Sequence, residues 1–270
     1  MLECLWADAD GVPPLDRGLA YGDGLFETIR INGHVASLGE RHLRRMQRDA
    51  ARLGISVSYA ELADALERAV ERYAGPAPWV LKLLLTRGVG GRGYRPPEPA
   101  HPCLIISHSP MPAVPEAPVA VDIWSHPLVI DPLLAGIKHL NRLPQVMASR
   151  AMPDWAWETL MTDVDGALVE GSRTNLIALA GTVCITPPAG ELAVAGVARE
   201  ALLEALPDLG LSLEERAVTD ADMTHPEFGG LLLTNSVVGG VAIERIGEQR
   251  LPITERLATI RSFLADAVGS

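Results

Sequence analysis

A proline-rich run near the middle of the chain constrains its fold more than any other feature of the sequence. Proline recurs at positions 110, 112, 115 and 118. Because proline has a fixed φ and no backbone N–H, such a run suits neither a helix interior nor a central strand. It is typical of a linker. We therefore predict an amino-terminal domain at residues 1–110, a linker at 111–118 and a carboxy-terminal domain at 119–270.

The length and charge of the chain limit its partners. With 270 residues it is long enough for two modest domains. A net charge of −11 argues against nucleic acid and anionic membranes, because neither attracts an acidic surface. No apolar run has membrane-spanning length, and the first residues lack a secretion signal, so we expect a cytoplasmic protein. Three scattered cysteines, Cys4, Cys103 and Cys184, predict neither a disulfide framework nor a metal site.

Local signals in both halves predict an α/β (α+β) protein. Capping-box spacing at Ser37 and Ser58 predicts two helices, and Asn32-Gly33 predicts a hairpin turn. In the first half, apolar runs predict strands at 79–86 and 103–107. In the second half we expect a strand at 119–124, an apolar helix carrying Leu143, Val146 and Met147, hairpins at Asp165-Gly166 and Gly181, a helix starting at Gly196, a buried strand ending in Thr234-Asn235-Ser236, and a final helix at 255–267.

The glycine-rich loop after the strand at 79–86 raises the question of a nucleotide site. Gly88, Gly90 and Gly93 have the Gly-x-Gly-x-x-Gly spacing of dinucleotide-binding loops. In such loops the third glycine opens a helix, whereas here Pro96 and Pro97 follow almost at once. A nucleotide-binding module is therefore the less favoured reading, and a helix directly after Gly93 would restore it.

The use of lysine indicates amine chemistry. Of the 23 basic residues, 21 are arginine and only Lys82 and Lys138 are lysine. An amine can lose its proton and form a Schiff base, whereas a guanidinium stays charged. Lys82 interrupts the apolar strand at 79–86 and is explained by one face of that strand meeting solvent. Lys138, in a short segment between Asp131-Pro132 and the helix at Leu143, is the candidate functional lysine.

Other features suit a phosphorylated cofactor that bears an aldehyde. A helix that begins at Gly196 offers unpaired N–H groups and the positive end of the helix dipole to a phosphate. The strand end at Thr234-Asn235-Ser236 offers hydroxyl and N–H groups beside glycines. Glu170, at the end of another strand, has a carboxylate that could face a ring nitrogen. Each signal alone is common, and together they remain suggestive.

Four motifs, in this order, resemble those of the class IV, pyridoxal-phosphate-dependent aminotransferase-like family, and they span nearly the whole chain. They are Arg45 on a helix after Tyr-Gly-Asp-Gly-Leu-Phe-Glu-Thr, Lys138 in Gly-Ile-Lys-His-Leu-Asn-Arg-Leu, Glu170 in Glu-Gly-Ser-Arg-Thr-Asn-Leu, and the helix start Gly196-Val-Ala-Arg. Two departures, Ile177 for an aromatic residue and Cys184 for an aliphatic one, lie outside the motif positions.

The resemblance implies a fold, a cofactor and roles for residues. The implied fold is that of a fold-type IV pyridoxal-phosphate enzyme, with a small α/β amino-terminal domain, a larger barrel-like carboxy-terminal domain carrying the Schiff-base lysine, and a homodimeric assembly. Lys138 would form the Schiff base with pyridoxal 5'-phosphate, and Glu170 would bond the pyridine nitrogen. The phosphate would be held by Arg45, by the amides of Val197 and Ala198, and by Thr234, Asn235 and Ser236.

Within the family, residues 87–94 and 137–143 resemble lyases that convert aminodeoxychorismate to 4-aminobenzoate and pyruvate. Since that substrate carries two carboxylates, Arg92, Tyr94 and Arg142 are the candidate substrate residues. Glu27 is shared with transaminases, so the amino-terminal motif does not separate the two reactions. The alternatives are a branched-chain or D-amino-acid transaminase and a non-catalytic pyridoxal-phosphate carrier, the last opposed by the presence of both Lys138 and Glu170.

Overall fold

The computed structural model describes residues 2–269 and divides the chain into two compact units. The amino-terminal unit runs to Pro112 and also contains Ile137–Asn141, and the carboxy-terminal unit comprises Ala113–Gly136 and the chain from Arg142 onward. Residues 111–118 form neither helix nor strand. No helix within residues 2–269 is long and apolar enough to cross a membrane.

The amino-terminal unit is a five-stranded sheet with helices. Its elements are β1 (Glu3–Trp6), α1 (Arg17–Tyr21), β2 (Gly24–Asn32), β3 (Val35–Ala36), α2 (Gly39–Arg52), α3 (Tyr59–Tyr73), β4 (Trp79–Thr86) and β5 (Cys103–Pro110). The strand order is β1-β5-β4-β2-β3, and the long strands β2 and β4 pair antiparallel along their whole length. Strand β4 has the bounds that its apolar run predicts.

The two predicted capping boxes have different outcomes. At Ser58 the hydroxyl accepts from the N–H of Glu61, and the Glu61 carboxylate accepts from the N–H of Ser58, which confirms that cap. The Ser37 cap is wrong: α2 begins after Leu38, whose φ is 53°, without a side-chain cap. The Ser37 hydroxyl instead accepts from Asn32 Nδ2 at 3.0 Å, so a neighbouring strand takes the group that would have capped the helix.

The structure also bears on two loop predictions in the same unit. The hairpin between β2 and β3 turns at Gly33-His34 rather than Asn32-Gly33, because Asn32 is still paired with Val35 and Gly33 has the positive φ of 60°. Residues 87–102, all of which are described, contain no helix. A dinucleotide-binding loop needs one there, so the structure gives no support to that alternative.

The carboxy-terminal unit is built on a large mixed sheet. Its elements are β6 (Val119–Ile123), α4 (Leu143–Ala151), β7 (Glu158–Thr162), β8 (Leu168–Gly171), β9 (Asn175–Ala180), β10 (Val183–Thr186), a 3₁₀ turn (Ala189–Glu191), α5 (Val197–Ala205), β11 (Ser212–Glu215), α6 (Asp220–Met223), β12 (Phe228–Asn235), β13 (Gly239–Ile246), β14 (Gln249–Arg250) and α7 (Glu255–Val268). The predicted hairpins at Gly166 and Gly181 join β7 to β8 and β9 to β10.

The sheet of this unit closes on itself. Strands β9, β12, β13, β6, β7 and β8 follow one another, and β8 pairs back onto β9 through Glu170 and Asn175. Strands β9 and β12 are buried almost throughout, because the barrel interior covers one face and helices cover the other; α5 and α7 pack against β12. The two-part α/β fold and the barrel-like second half are confirmed.

Helix α4 forms where the sequence predicts it, and its apolar residues are largely exposed. Its buried side chains are Gln145 and Ala148. The apolar side chains of Leu143, Val146 and Met147 are 73%, 55% and 48% exposed. Since these positions share one helix face, α4 presents an apolar stripe to its surroundings.

Candidate functional site

Lys138 lies on a strand-like segment of the amino-terminal unit. The N–H of Phe26 donates to the Lys138 carbonyl at 2.9 Å, and the N–H of Leu140 donates to the carbonyl of Gly24 at 3.0 Å. These bonds place residues 137–141 beside β2, which is why the segment belongs to this unit and not to the carboxy-terminal domain assumed from the sequence. The Lys138 Nζ lies 4.1 Å from the centroid of the Phe26 ring. The amine is therefore half-buried on a fixed backbone.

Lys82 also approaches Phe26, but from a different environment. Its Nζ is 5.2 Å from the same ring centroid, and its side chain is exposed on β4. This agrees with the interpretation of Lys82 as a residue on the solvent face of a strand. The two lysines of the chain thus share an aromatic neighbour and differ in burial.

A buried cluster of charged residues lies next to Phe26 along β2. Glu27 Oε1 accepts from Arg45 Nε at 2.8 Å, and its Oε2 accepts from Arg45 Nη2 at 2.5 Å. His42 Nδ1 lies 2.6 Å from Glu27 Oε2. All three side chains are buried. Burial raises the pKa of Glu27, but the charge of Arg45 and the hydrogen bonds donated by Arg45 and His42 outweigh it and lower the pKa to about 2.

The ionised Glu27 fixes the tautomer of His42. Because a carboxylate only accepts, the hydrogen of the neutral ring must be on Nδ1, and Nε2 is then an acceptor. Burial lowers the pKa of His42, and the charges of Arg45 and Lys138 lower it further, against the opposing effect of Glu27. Nε2 is buried and has no hydrogen-bond partner among residues 2–269.

Glu27 forms a salt bridge with one of the arginines of α2, Arg45. The side chain of Arg45 is 5% exposed, whereas those of Arg44 and Arg48 are 68% and 53% exposed and pair with Glu40 and Asp49. Arg45 is thus the α2 arginine whose guanidinium is held inside the unit in a bidentate pair, which gives it a defined direction. This is the arginine that the family resemblance selects.

In the carboxy-terminal unit, Glu170 lies where the barrel closes. Its carboxylate is buried, and Oε2 accepts from the N–H of Val194 at 3.4 Å. Asn175, its partner across the β8–β9 pairing, donates from Nδ2 to the carbonyl of Val194 at 2.9 Å. The two side chains therefore bind both backbone groups of one residue, just before α5 begins.

The turn that joins β8 to β9 is held by Glu158, a residue that the sequence analysis missed. Its buried carboxylate accepts from the N–H groups of Thr159 and Arg173 and from the hydroxyls of Ser172 and Thr174, at 2.6–3.2 Å. A glutamate at the first position of β7, directly before Thr159 and Leu160, was the available signal, because a carboxylate in a buried strand requires donors. Glu158 fixes the turn and hence the position of Glu170.

Three features around Asn175 form a candidate cradle for phosphate. Helix α5 begins after Gly196, which has no side chain to cap the helix, so its first N–H groups face outward from the helix end. A Cβ on Gly196 would collide with the side chain of Asn175. Thr234 is paired with Asn175 across β12 and β9, and its Oγ1 is buried without a hydrogen-bond partner in the part of the chain described. A buried hydroxyl beside a helix N-terminus fits an anionic phosphate.

Asn235 and Ser236, which follow Thr234, have other contacts. Asn235 Oδ1 accepts from the N–H groups of Val237 and Val238 at 2.9 Å each, and Nδ2 donates to the Arg173 carbonyl at 3.3 Å. Its side chain therefore shapes the turn after β12. Ser236 lies within that turn and is half-buried.

The predicted substrate residues are in both units. Arg92 and Tyr94 lie in the glycine loop of the amino-terminal unit, where Tyr94 is 86% exposed. Arg142, in the other unit, donates from Nη1 and Nη2 to the carbonyl of Ala193 at 3.3 Å. That bond braces the backbone next to Val194.

The chain is similar to known proteins over almost its entire length. Residues 24–246 match the family model for amino-transferase class IV. The solved 4-amino-4-deoxychorismate lyase of Pseudomonas aeruginosa is 38% identical, with a TM-score of 0.88 and 96% of each chain covered. The aminodeoxychorismate lyase of Vibrio harveyi is 29% identical over 87% of each chain. The D-alanine aminotransferase of Bacillus licheniformis is 28% identical, covering 90% of this chain and 88% of the relative.

The pH dependence of stability should report the Glu27 cluster. The pKa of Glu27 falls from 4.5 to about 2 on folding, so its contribution is complete above pH 4.5 and is lost as the pH falls toward 2. A shift of this size corresponds to on the order of 3 kcal/mol. Between pH 5 and pH 2, the unfolding free energy of the parent should therefore fall by about 3 kcal/mol more than that of Glu27→Gln. Urea denaturation at each pH measures both values. If the unfolding free energies of both proteins changed equally with pH, Glu27 would not be ionised in the folded protein through this cluster.

Proposed function

The chain belongs to the class IV aminotransferase family, and from this membership we propose that it is a 4-amino-4-deoxychorismate lyase that forms 4-aminobenzoate and pyruvate for folate biosynthesis. The observation that carries the proposal is the 38% identity with the Pseudomonas lyase, which is well above the identity with the D-alanine aminotransferase. Amino-acid transamination is the second candidate, because aminotransferases of the family match over a similar share of the chain.

The family depends on pyridoxal phosphate, and the residues of this chain fit that cofactor. When bound, pyridoxal phosphate supplies an electron sink for bond breaking at the substrate. Lys138 Nζ would hold it covalently, supported by a backbone that is bonded to β2. The Glu170 carboxylate would accept a hydrogen bond from the pyridine nitrogen and favour its protonated form.

The phosphate would be bound by one guanidinium, two backbone amides and one hydroxyl. Arg45 supplies the charge, with its direction fixed by Glu27. The N–H groups of Val197 and Ala198 lie at the positive end of α5. Thr234 Oγ1 supplies a donor that is buried and unpartnered in the described part of the chain. Asn235 and Ser236 would contribute through the backbone of the turn after β12.

Proton transfer is assigned to Lys138. As a neutral amine its Nζ can take the proton from C4 of the substrate ring, a step that leads to loss of the C3 enolpyruvyl group and an aromatic product. A guanidinium could not do this, because it stays protonated. Arg92, Tyr94 and Arg142 would bind and orient the two substrate carboxylates.

We also propose that the enzyme is a homodimer. The stripe of Leu143, Val146 and Met147 on α4 is exposed, and so are Val129 and Leu133 in a segment that precedes it, at 75% and 80%. The two segments are neighbours because Leu128 and Ala148 share one core cluster. Apolar side chains grouped in this way are typical of a surface covered by another chain.

The reaction can be tested with purified protein and aminodeoxychorismate alone. We expect 4-aminobenzoate and pyruvate in equal amounts over many turnovers without a keto acid, because the lyase reaction consumes no second substrate. Lys138→Arg should form neither product, whereas Lys82→Arg should retain activity. A protein that made no 4-aminobenzoate but transferred the amino group of D-alanine or leucine to a keto acid would be a transaminase instead.

Thr234→Val tests the phosphate cradle, because it should affect apoprotein stability and pyridoxal phosphate affinity differently. Since Oγ1 has no hydrogen-bond partner among residues 2–269, its removal should leave the stability of the apoprotein unchanged or increase it. Pyridoxal phosphate affinity should fall roughly ten- to a hundredfold, measured by titration of the apoprotein.

Thr186→Val is the matched control, because the equally buried Thr186 hydroxyl donates to the carbonyl of Leu176 and accepts from Arg199. It should destabilise the apoprotein by about 1–3 kcal/mol. If Thr234→Val destabilised the apoprotein as much, Thr234 would be a structural residue.

The dimer proposal predicts the effect of charge on α4. Leu143→Glu combined with Met147→Glu should convert dimer to monomer in sedimentation velocity, because burying two carboxylates in an apolar contact is costly. Val164→Glu, at an equally exposed valine on the β7–β8 hairpin, should leave the dimer intact. A double variant that sedimented like the parent would place the interface elsewhere.

A further inference from the structure

Arg17 is a buried cation that the proposed chemistry does not use. Its side chain is 4% exposed, so its N–H groups require acceptors inside the protein. Nε donates to Asp23 Oδ2 at 2.8 Å. Nη1 donates to the carbonyl of Gly93 at 3.1 Å, and Nη2 donates to the carbonyl of Tyr94 at 2.8 Å. One guanidinium from α1 therefore holds two consecutive residues of the glycine loop.

The glycine loop, residues 88–95, is attached at its start by backbone bonds: the N–H of Arg17 donates to the Gly88 carbonyl at 2.9 Å, and the N–H of Gly90 donates to the Leu15 carbonyl at 3.1 Å. Its outer part, residues 91–95, has fewer attachments. These residues are exposed and belong to no helix or strand. The further attachments also come from α1: the N–H of Gly93 donates to Tyr21 Oη at 3.2 Å, and the Tyr21 and Tyr94 rings meet edge to face at 5.5 Å. The conformation of residues 91–95 thus depends on α1, and Arg17 makes two of these bonds.

Gly90 allows the Arg17 side chain to reach the loop. A Cβ at position 90 would lie 2.6 Å from Arg17 Cδ and 2.8 Å from Cγ, closer than carbon atoms approach. A Cβ at the adjacent Gly91 would meet no atom within 4 Å. Neither glycine has a positive φ, so alanine is conformationally acceptable at both positions. Only at position 90 would alanine displace Arg17.

The other end of the network is fixed by a second arginine. Asp23 also accepts from Arg87 Nε at 2.8 Å and from Arg87 Nη2 at 3.0 Å. Arg87 in turn donates to the carbonyls of Leu53 and Gly54 at the end of α2. Asp23 is therefore held between two guanidinium groups. Arg17 and Arg87 share this carboxylate, but only Arg17 touches the carbonyls of Gly93 and Tyr94.

We propose that Arg17 is a positioning residue for substrate specificity, which orders the glycine loop so that Arg92 and Tyr94 are presented to a dicarboxylate substrate. The proposal rests on the proposed function, since it assigns the loop to substrate binding. A loop that is ordered in advance loses less conformational entropy when it binds. The two-pronged guanidinium is needed because a lysine ammonium cannot donate to Asp23 and both carbonyls in the same planar arrangement.

The experiment compares Arg17→Lys and Gly90→Ala with the matched controls Arg87→Lys and Gly91→Ala, all as holoenzymes. Trypsin cleavage after Arg92, followed by mass spectrometry, reports loop order. Steady-state kinetics with aminodeoxychorismate report KM and kcat. For Arg17→Lys and Gly90→Ala we expect cleavage after Arg92 and KM each to rise roughly tenfold, the effect of losing one or two hydrogen bonds from a charged donor. Their kcat should stay within about twofold of the parent, because Lys138 and the cofactor residues are untouched.

Each outcome decides the proposal. Arg87→Lys and Gly91→Ala should match the parent in cleavage after Arg92 and in KM. An unchanged KM in Gly90→Ala, in which every side chain of the network is kept, would overturn the assignment even if cleavage increased. Equal rises in KM for Arg17→Lys and Arg87→Lys would also overturn it, because the effect would then belong to Asp23. A parent enzyme that formed no 4-aminobenzoate would instead refute the proposed function, while the cleavage pattern would still report whether Arg17 orders the loop.

Discussion

The closure of the barrel at Glu170 and Asn175 is the constraint on which the carboxy-terminal unit depends. An open sheet would leave β8 as an edge strand, whereas closure pairs it with β9 and fixes the relative positions of the barrel strands. The buried Glu158 carboxylate stabilises the closing turn with four hydrogen bonds. Through Asn175 the same junction positions Thr234 and the start of α5. The side chains suited to a cofactor are therefore products of the way in which the sheet closes.

A buried and a half-buried carboxylate perform the equivalent task in the amino-terminal unit. Glu27 on β2 orients Arg45, and Asp23, just before β2, joins Arg17 to Arg87. In each case an acidic group pairs with particular arginines in a chain that is rich in them, one for Glu27 and two for Asp23, and gives each guanidinium a fixed direction. Burial makes this selection effective, because an unpaired charge in the interior is costly and only a matched geometry satisfies it. Arg44 of α2 carries the same charge but pairs with Glu40 on the exposed surface of the helix.

Much of this arrangement could be predicted from the sequence where a local signal decides the structure. The apolar run of β4, the cap at Ser58 and the hairpin at Gly166 depend on neighbouring residues alone, and these predictions are correct. Ser37 differs because the amide of Asn32 takes its hydroxyl. Periodicity reveals that α4 has an apolar face but not what covers it. The pairing of the Lys138 segment with β2 joins residues far apart in sequence, and no local pattern encodes it. The same holds for the bonds of Arg17 to Gly93 and Tyr94, which join residues far apart in the chain. Glu158 likewise takes three of its four donors from the turn at 172–174.

Residues 137–141 belong to the amino-terminal unit although they follow β6 in the chain, and this affects when that unit can finish folding during synthesis. During synthesis the ribosome releases β1 to β5 first, and these strands could begin to pair. Gly24 and Phe26 on β2, however, receive their partners from Leu140 and Lys138, which are added only after the linker and β6. A fragment that ended at Pro112 would expose this edge of β2 to other chains. The amino-terminal unit is therefore completed by chain from beyond its own boundary, and its maturation is tied to the start of the domain that follows.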